Sequence, residues 1–249
     1  MNRFILSLTV MFIMSNVLNA QIVTDRPDQT ESSTTIPKNS LQVEMGFGTG
    51  DFDGTRISLL PTALFRYGIF ETLELRLAEH VTIYDDLAND DPEFGLSDME
   101  VGFKLQVLRK EGVNSEIAFI SHLILPTGSP DLTNSTLGTV NKVAISHTIN
   151  DLIGLGYNLG YNYFGDGNGD LTYSAALSFG LSDKFGMFVE PFGEYSNLTT
   201  WTSNLDGGLT YLLKDNFQLD FSLGVGLNHK MNFFAIGFSW NNNFKQSKN

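Results

Sequence analysis

Charged side chains recur on the polar positions of otherwise apolar, alternating stretches of this 249-residue chain, and they are the residues through which it could act. Glu44, Arg66, Glu74, Arg76, Asp98, Glu100, Lys104, Glu116, Glu190, Glu194 and Asp220 all occupy such positions. Facing a common lumen, rings of charge select solutes by sign and size. The same side chains could instead pair with one another, since a charge taken out of water needs a partner. Arg66, Glu74 and Arg76 lie on two neighbouring runs that flank a short link, so opposite charges meet at one depth. Asp98, Glu100, Lys104, Glu190 and Glu194 complete the expected lumen set. A structural ion-pair network and a selective constriction are both open, the network being the simpler.

Other chemistry finds weaker support. Ser121-His122 with His147 has the composition of a serine nucleophile and its base, but adjacent residues of a strand point to opposite faces and cannot pair directly. His80, His122, His147 and His229 lack the spacing of metal ligands. Glu190 and Glu194 share a face and could imitate a glycosidase carboxylate pair, although acids on a barrel wall are ordinarily wall charges. Residues 165–170, Gly-Asp-Gly-Asn-Gly-Asp, have a calcium-loop composition without the terminal acid of an EF-hand, and read as a turn-rich surface loop. No catalytic residue, metal or cofactor is expected. The chain has no cysteine, which excludes disulfides, thiolate metal sites and a lipidated N-terminal cysteine. Its net charge of −13 argues against nucleic-acid binding, which uses basic patches.

The elements that must position these charges are strands. In residues 97–108, Met99, Val101, Phe103, Leu105 and Val107 alternate with Asp98, Glu100, Gly102, Lys104 and Gln106, and residues two apart in a strand share a face. Twelve such runs are expected, at 41–48, 56–67, 73–83, 97–108, 116–125, 139–149, 152–164, 171–181, 186–195, 204–213, 217–228 and 233–244. Many have about ten residues, the length of a tilted strand that crosses a membrane; strands of soluble proteins average about five or six. The expected fold is an all-β, antiparallel, up-and-down transmembrane barrel of about twelve strands, with lipid on the apolar face and the lumen on the polar one. A secreted β-sandwich is the competing architecture, and strand length counts against it. Short links at 68–72, 109–115, 150–151, 182–184 and 214–216 alternate with generally longer ones at 49–55, 84–96, 126–138, 165–170 and 196–203. That asymmetry puts the short turns and both termini in the periplasm. The link 229–232 departs from the trend.

Residues 1–20 read as a cleaved secretory signal peptide: Arg3, an apolar run over 4–14, and a small residue at Ala20. Residues 21–39 form a polar lead without periodicity, centred on Asp25-Arg26-Pro27-Asp28, that enters the periplasmic mouth as a small plug, docks a partner, or is a plain leader. The barrel is expected over 40–244 and a short tail over 245–249.

Several ordered pieces of sequence resemble one family. Thr24-Asp25-Arg26-Pro27-Asp28, Arg66-Tyr67-Gly68 leading into Glu74-Leu75-Arg76, Gly95-Leu96-Ser97-Asp98, Leu125-Pro126-Thr127-Gly128 and Tyr157-Asn158-Leu159-Gly160-Tyr161 are similar to the bacterial outer-membrane proteins grouped as "putative MetA-pathway of phenol degradation". The resemblance spans essentially the whole chain after residue 20 and implies a transporter-like barrel in the outer membrane of a Gram-negative bacterium. It does not make phenol the solute. The expected function is therefore passive transport of small solutes, hydrophobic or aromatic ones included. The alternatives are a non-conducting structural or adhesion barrel and, further off, a lipid-modifying enzyme. Expected partners are outer-membrane lipids, a small-molecule solute and the outer-membrane assembly machinery.

Overall fold

A computed structural model describes residues 22–86, 91–109 and 115–244. The signal peptide expected over 1–20 and the tail expected over 245–249 lie outside the described residues. Thirteen strands form one antiparallel sheet: β1 Ser40–Phe52, β2 Thr55–Phe70, β3 Leu73–Asp86, β4 Glu93–Leu96, β5 Met99–Arg109, β6 Ser115–Leu125, β7 Gly138–Asn150, β8 Ile153–Tyr163, β9 Asp170–Gly180, β10 Phe185–Ser196, β11 Thr200–Lys214, β12 Phe217–Gly226 and β13 Met231–Asn243. Consecutive strands pair, save that β4 and β5 both pair with β3, and β1 pairs with β13 from Ser40↔Asn243 to Phe52↔Met231, closing the sheet. The wall is thus a closed twelve-strand antiparallel barrel with one extra strand, β4.

The extra strand arises from an interruption. Both β4 and β5 pair with β3, with Val81 opposite Leu96 and Ala78 opposite Glu100. They are two pieces of the fourth wall strand, offset by one residue at Ser97-Asp98. Residues 93–96 had been expected in a loop, and the isolated four-residue run is too short to display alternation. The offset frees Asp98 from the wall. Its carboxylate accepts from the backbone N–H of Gly128 and Asn134, at 2.9 and 2.8 Å, and pins the 126–137 loop across the gap.

The face chemistry is that of a protein turned inside out. Outward residues are large and apolar, with Val107, Leu159, Leu223 and Ile236 all more than half exposed. Inward residues are polar and buried, among them Gln42, Glu44, Arg66, Glu74, Lys104, Glu190 and Ser239. That inversion suits a hydrocarbon solvent. At the end where β1 starts and β13 stops, called here the lower end, the turns are short. Two of the upper links are shorter than expected. β1 and β2 join through Asp53-Gly54, both at positive φ, as the tight primed hairpin turn requires; β10 and β11 join through 197–199. The expected loops 49–55 and 196–203 are mostly strand; in the first, Gly50, like Gly48 within the expected strand before it, stands inward on β1.

Candidate functional site

Residues 22–39 occupy the barrel interior. The segment is tied at the lower end by Ile22 N–H donating to the Asp215 carbonyl, 3.1 Å, and leaves there by Asn39 N–H donating to the Gly68 carbonyl, 2.8 Å. Between these ties it rises and returns as an irregular loop. Pro27 and Pro37 remove backbone donors. Short side chains bond the local backbone in place of a ladder: Thr24 Oγ1 to the Arg26 carbonyl at 2.7 Å and Thr34 N–H to Ser32 Oγ at 3.0 Å.

Asp25 is the centre of the contacts. Its carboxylate meets Arg76 Nη1 at 2.6 Å, Arg66 Nη1 at 3.3 Å and Lys104 Nζ at 2.8 Å, while its N–H donates to Glu44. Burial alone would push this carboxyl up; Arg66, Lys104 and Arg76 together hold it well below the usual carboxylate range. The wall charges also pair among themselves, Arg66 with Glu74 at 2.7 Å and Glu44 at 2.9 Å, and Arg76 with Glu74 at 3.1 Å. Glu31 bridges Arg76 at 2.5 Å and Lys142 at 2.7 Å, and these cations lower its carboxyl against the opposing effect of burial. Four cations and four carboxylates therefore meet in these pairs.

Further contacts run around the barrel. Gln29 N–H donates to Glu190 at 2.7 Å, as does the Thr30 hydroxyl; Glu31 N–H donates to Asn158 Oδ1 at 2.7 Å; Ser33 Oγ donates to Ser146 Oγ at 2.9 Å; and Thr34 Oγ1 donates to Glu116 at 2.7 Å. Arg26 lies against the wall where β1 and β13 carry Gly46 and Gly237, and a methyl group at either glycine would overlap its guanidinium. There it reaches Asp220 at 2.9 Å.

The expected lumen set is thus divided. Arg66, Glu74, Arg76 and Lys104 form one cluster. Glu100 joins it through His122, which accepts from Arg76 Nε at 2.9 Å and bonds Glu100 at 2.7 Å. Asp98 is away at the strand interruption, Glu190 meets the 29–30 backbone, and Glu194 stands on the wall above. The motif Asp25-Arg26-Pro27-Asp28 was expected beneath the cluster; Asp25 lies within it instead, where three buried cations with two wall acids, Glu44 and Glu74, require a third. Sequence alternation did not reveal His122, Lys142, Asn158 or Ser174 as contacts of the segment or its cluster. Their inward parity was the available signal. Ser121 bonds Asn141 at 2.8 Å and does not meet His122. Ser115 instead bonds His147 at 2.7 Å, with the Tyr157 hydroxyl at 3.2 Å from the other ring nitrogen.

Above residues 26–29 lies a chamber of about 730 Å³ that reaches the upper rim at Asp53 and His229. Arg26, Pro27 and Gln29 make its floor. Phe192 and Phe233, an edge-on pair with centroids 6.5 Å apart, are on one side, and Asn158, Asn162 and Asn204 supply polar lining. Its volume falls in the range of small-molecule sites, about 300–1,000 Å³.

The family model described as "Putative MetA-pathway of phenol degradation" matches residues 24–240, and the chain belongs to that family, as the sequence resemblance implied. No curated protein sequence matches it. Among solved structures it is similar to the KdgM porin in complex with disordered oligogalacturonate, at 11% identity, covering 79% of this chain and 98% of that one with a TM-score of 0.57. It also matches the CymD monoaromatic hydrocarbon channel, at 11% identity over 84% of this chain and 89% of that one, TM-score 0.46. The Ralstonia pickettii toluene transporter TbuX matches at 9% identity over 82% and 90%, TM-score 0.47. The KdgM likeness is one of fold, that of an outer-membrane barrel.

Proposed function

We propose that this chain is a passive outer-membrane channel for small solutes, closed in the present conformation by its own residues 22–39. The observation that carries the reading is a ligand-sized chamber, open towards the upper rim, whose floor is a non-strand segment tied to the wall by side chains. A floor built of wall strands could not move without opening the sheet; this one can. The lower end, with its short turns, faces the periplasm, and the upper rim faces outside. The aromatic pair Phe192 and Phe233 supports hydrophobic or aromatic solutes among those admitted. The expectation that the chain is not an enzyme agrees with this reading. Lipids surround the barrel, and insertion uses the outer-membrane assembly machinery.

The test is a reversible lock. The chain has no cysteine, so Ser33→Cys/Ser146→Cys places one new thiol on the segment and one on β7. Flux of an uncharged solute into liposomes should be blocked when the pair is oxidised and return on reduction. Equal flux in both states removes the segment as the gate. Absence of flux in wild type, reduced variant and a chain lacking residues 22–39 leaves a non-conducting structural barrel, a reading favoured by the filled lower lumen.

A further inference from the structure

The two sides of the lumen differ in charge. Beside β1–β7, Arg66, Arg76, Lys104 and Lys142 pair with Asp25, Glu31, Glu44 and Glu74, while Glu100 bonds His122 and Glu116 accepts from Thr34. Beside β10–β12, Glu190, Glu194, Asp206, Asp220 and the segment's own Asp28 face, among the described residues, one lumen cation, Arg26, already engaged with Asp220. Burial, followed by Glu190, raises the Asp28 carboxyl well above its usual range, so Asp28 sheds its charge among these acids and the wall charge at the chamber rests on Glu194.

The unpartnered atoms on this wall point the same way. Asn204 lines the chamber, is 7% exposed, and its Oδ1 has no hydrogen-bond partner. Asn162 Oδ1, also at the chamber, has none. Two residues beyond Asn204 on the same face, Asp206 is 3% exposed and shares a hydrogen bond with Glu190, directly opposite on β10. Both orphaned amide oxygens are acceptors. Phe192 stands directly across from Asn204, and Glu194 follows Phe192 on the same face of β10, so apolar ring, acceptor and carboxylate are adjacent.

We propose that the chamber is selective for small organic cations, holding an ammonium group between Glu194 and Asn204 with its apolar body against Phe192 and Phe233. This rests on the chamber being the solute path of the proposed channel. An ammonium offers three donors and a charge to a wall of acceptors, and an aromatic face adds to the attraction. A carboxylate of the same shape brings acceptors to acceptors and a like charge to an acidic wall; an alcohol brings one donor and no charge.

Calorimetric titration of the full chain in nanodiscs, with empty discs subtracted, compares benzylammonium, benzyl alcohol and benzoate at low salt. Benzylammonium should bind about tenfold or more tightly than benzyl alcohol, with benzoate weakest, and the preference should shrink as salt is raised. Glu194→Gln and, separately, Asn204→Leu should each cut the ammonium-to-alcohol affinity ratio about fivefold. Equal affinity for the two ligands, tighter benzoate, no binding of any of them, or an unchanged ratio in both variants overturns the assignment. The reversible lock uses an uncharged solute, so flux that follows the lock without a cation preference sinks this inference and leaves the channel standing.

Discussion

Asp25 and Arg76, 51 residues apart in sequence, meet at 2.6 Å inside the lumen with both side chains almost wholly buried. The contact joins a segment that is not part of the wall to a strand that is. Buried pairs of this kind add modest net stability when complete, yet losing one partner leaves an uncompensated charge and costs about 3–5 kcal/mol. The docked segment is therefore held less by the sum of its bonds than by the penalty of leaving three cations without their acid.

Asp25→Asn should undock the segment while the barrel remains. Arg66, Arg76 and Lys104 would face two wall carboxylates, Glu44 and Glu74, with the segment's central charge gone. The expected outcome is higher conductance in planar bilayers and faster proteolysis between residues 22 and 39. A variant as closed and as resistant as wild type would place the holding energy elsewhere.

Docking should weaken in acid. Asp25 and Glu31 are lowered when docked. Their contribution is complete above the ordinary carboxylate values of 3.8 and 4.5 and is lost as pH falls through the lowered docked values. Asp28 is raised, so its contribution is complete below 3.8 and fades as pH climbs through the raised value. A spin label at Gln29→Cys should become mobile well below pH 4, and Asp28→Asn should remove any loosening on the alkaline side without changing the acid side.

Gly46→Ala should expel Arg26 from the wall. The three atoms nearest the added methyl group all belong to the far end of the Arg26 side chain, so the arginine moves and the strands do not; a methyl at Gly237 would also meet the Met45 backbone carbonyl at 2.5 Å. Loss of the Arg26–Asp220 pair should raise conductance while the barrel still folds into lipid vesicles. Failure to fold would mean that Gly46 serves strand packing.

Arginine at Leu159 or Leu223, both outward and more than half exposed, should cost about 2–4 kcal/mol of membrane folding near the midplane. Arginine at Thr172, on the chamber wall, should cost about 0–1 kcal/mol by the same reasoning. Folding titrations in lipid vesicles that give equal penalties would reverse the face assignment. Asn158 and Ser222, inward by alternation, are unsuitable controls because both are buried, Asn158 against Glu31.

A biotin-acceptor tag at Gly167-Asn168 should be labelled on intact cells, and one at Asn150-Asp151 should be protected until the outer membrane is opened. Labelling at Asn150-Asp151 in intact cells would invert the orientation.

The wall was legible because alternation is a local signal that survives without knowledge of any partner. Leu219, Leu223 and Val225 against Gln218, Asp220 and Ser222 fix the faces of β12 from composition alone. What alternation could not express was the depth at which each inward charge sits and what fills the space between strands. Glu190, Asp98 and Arg66 look equivalent in sequence, yet one meets the segment's backbone, one a loop and one a cluster. Glycine misled in the other direction: Gly50 fell in an expected loop, because small residues that make room in a lumen carry the same letters as those that make turns. The segment itself has no period to read, and its Asp-Arg-Pro-Asp motif gained meaning only beside the strands it touches.

Segment 22–39 contacts strands from one end of the chain to the other, with Asp25 on Glu44 and Arg26 on Asp220, 194 residues away. In the finished barrel the segment thus acts as a gauge of register: a wall strand displaced by one residue would turn an apolar side chain inward where Glu44 or Asp220 now meets Asp25 or Arg26. One short piece of chain reads the alignment of strands that lie far apart in sequence.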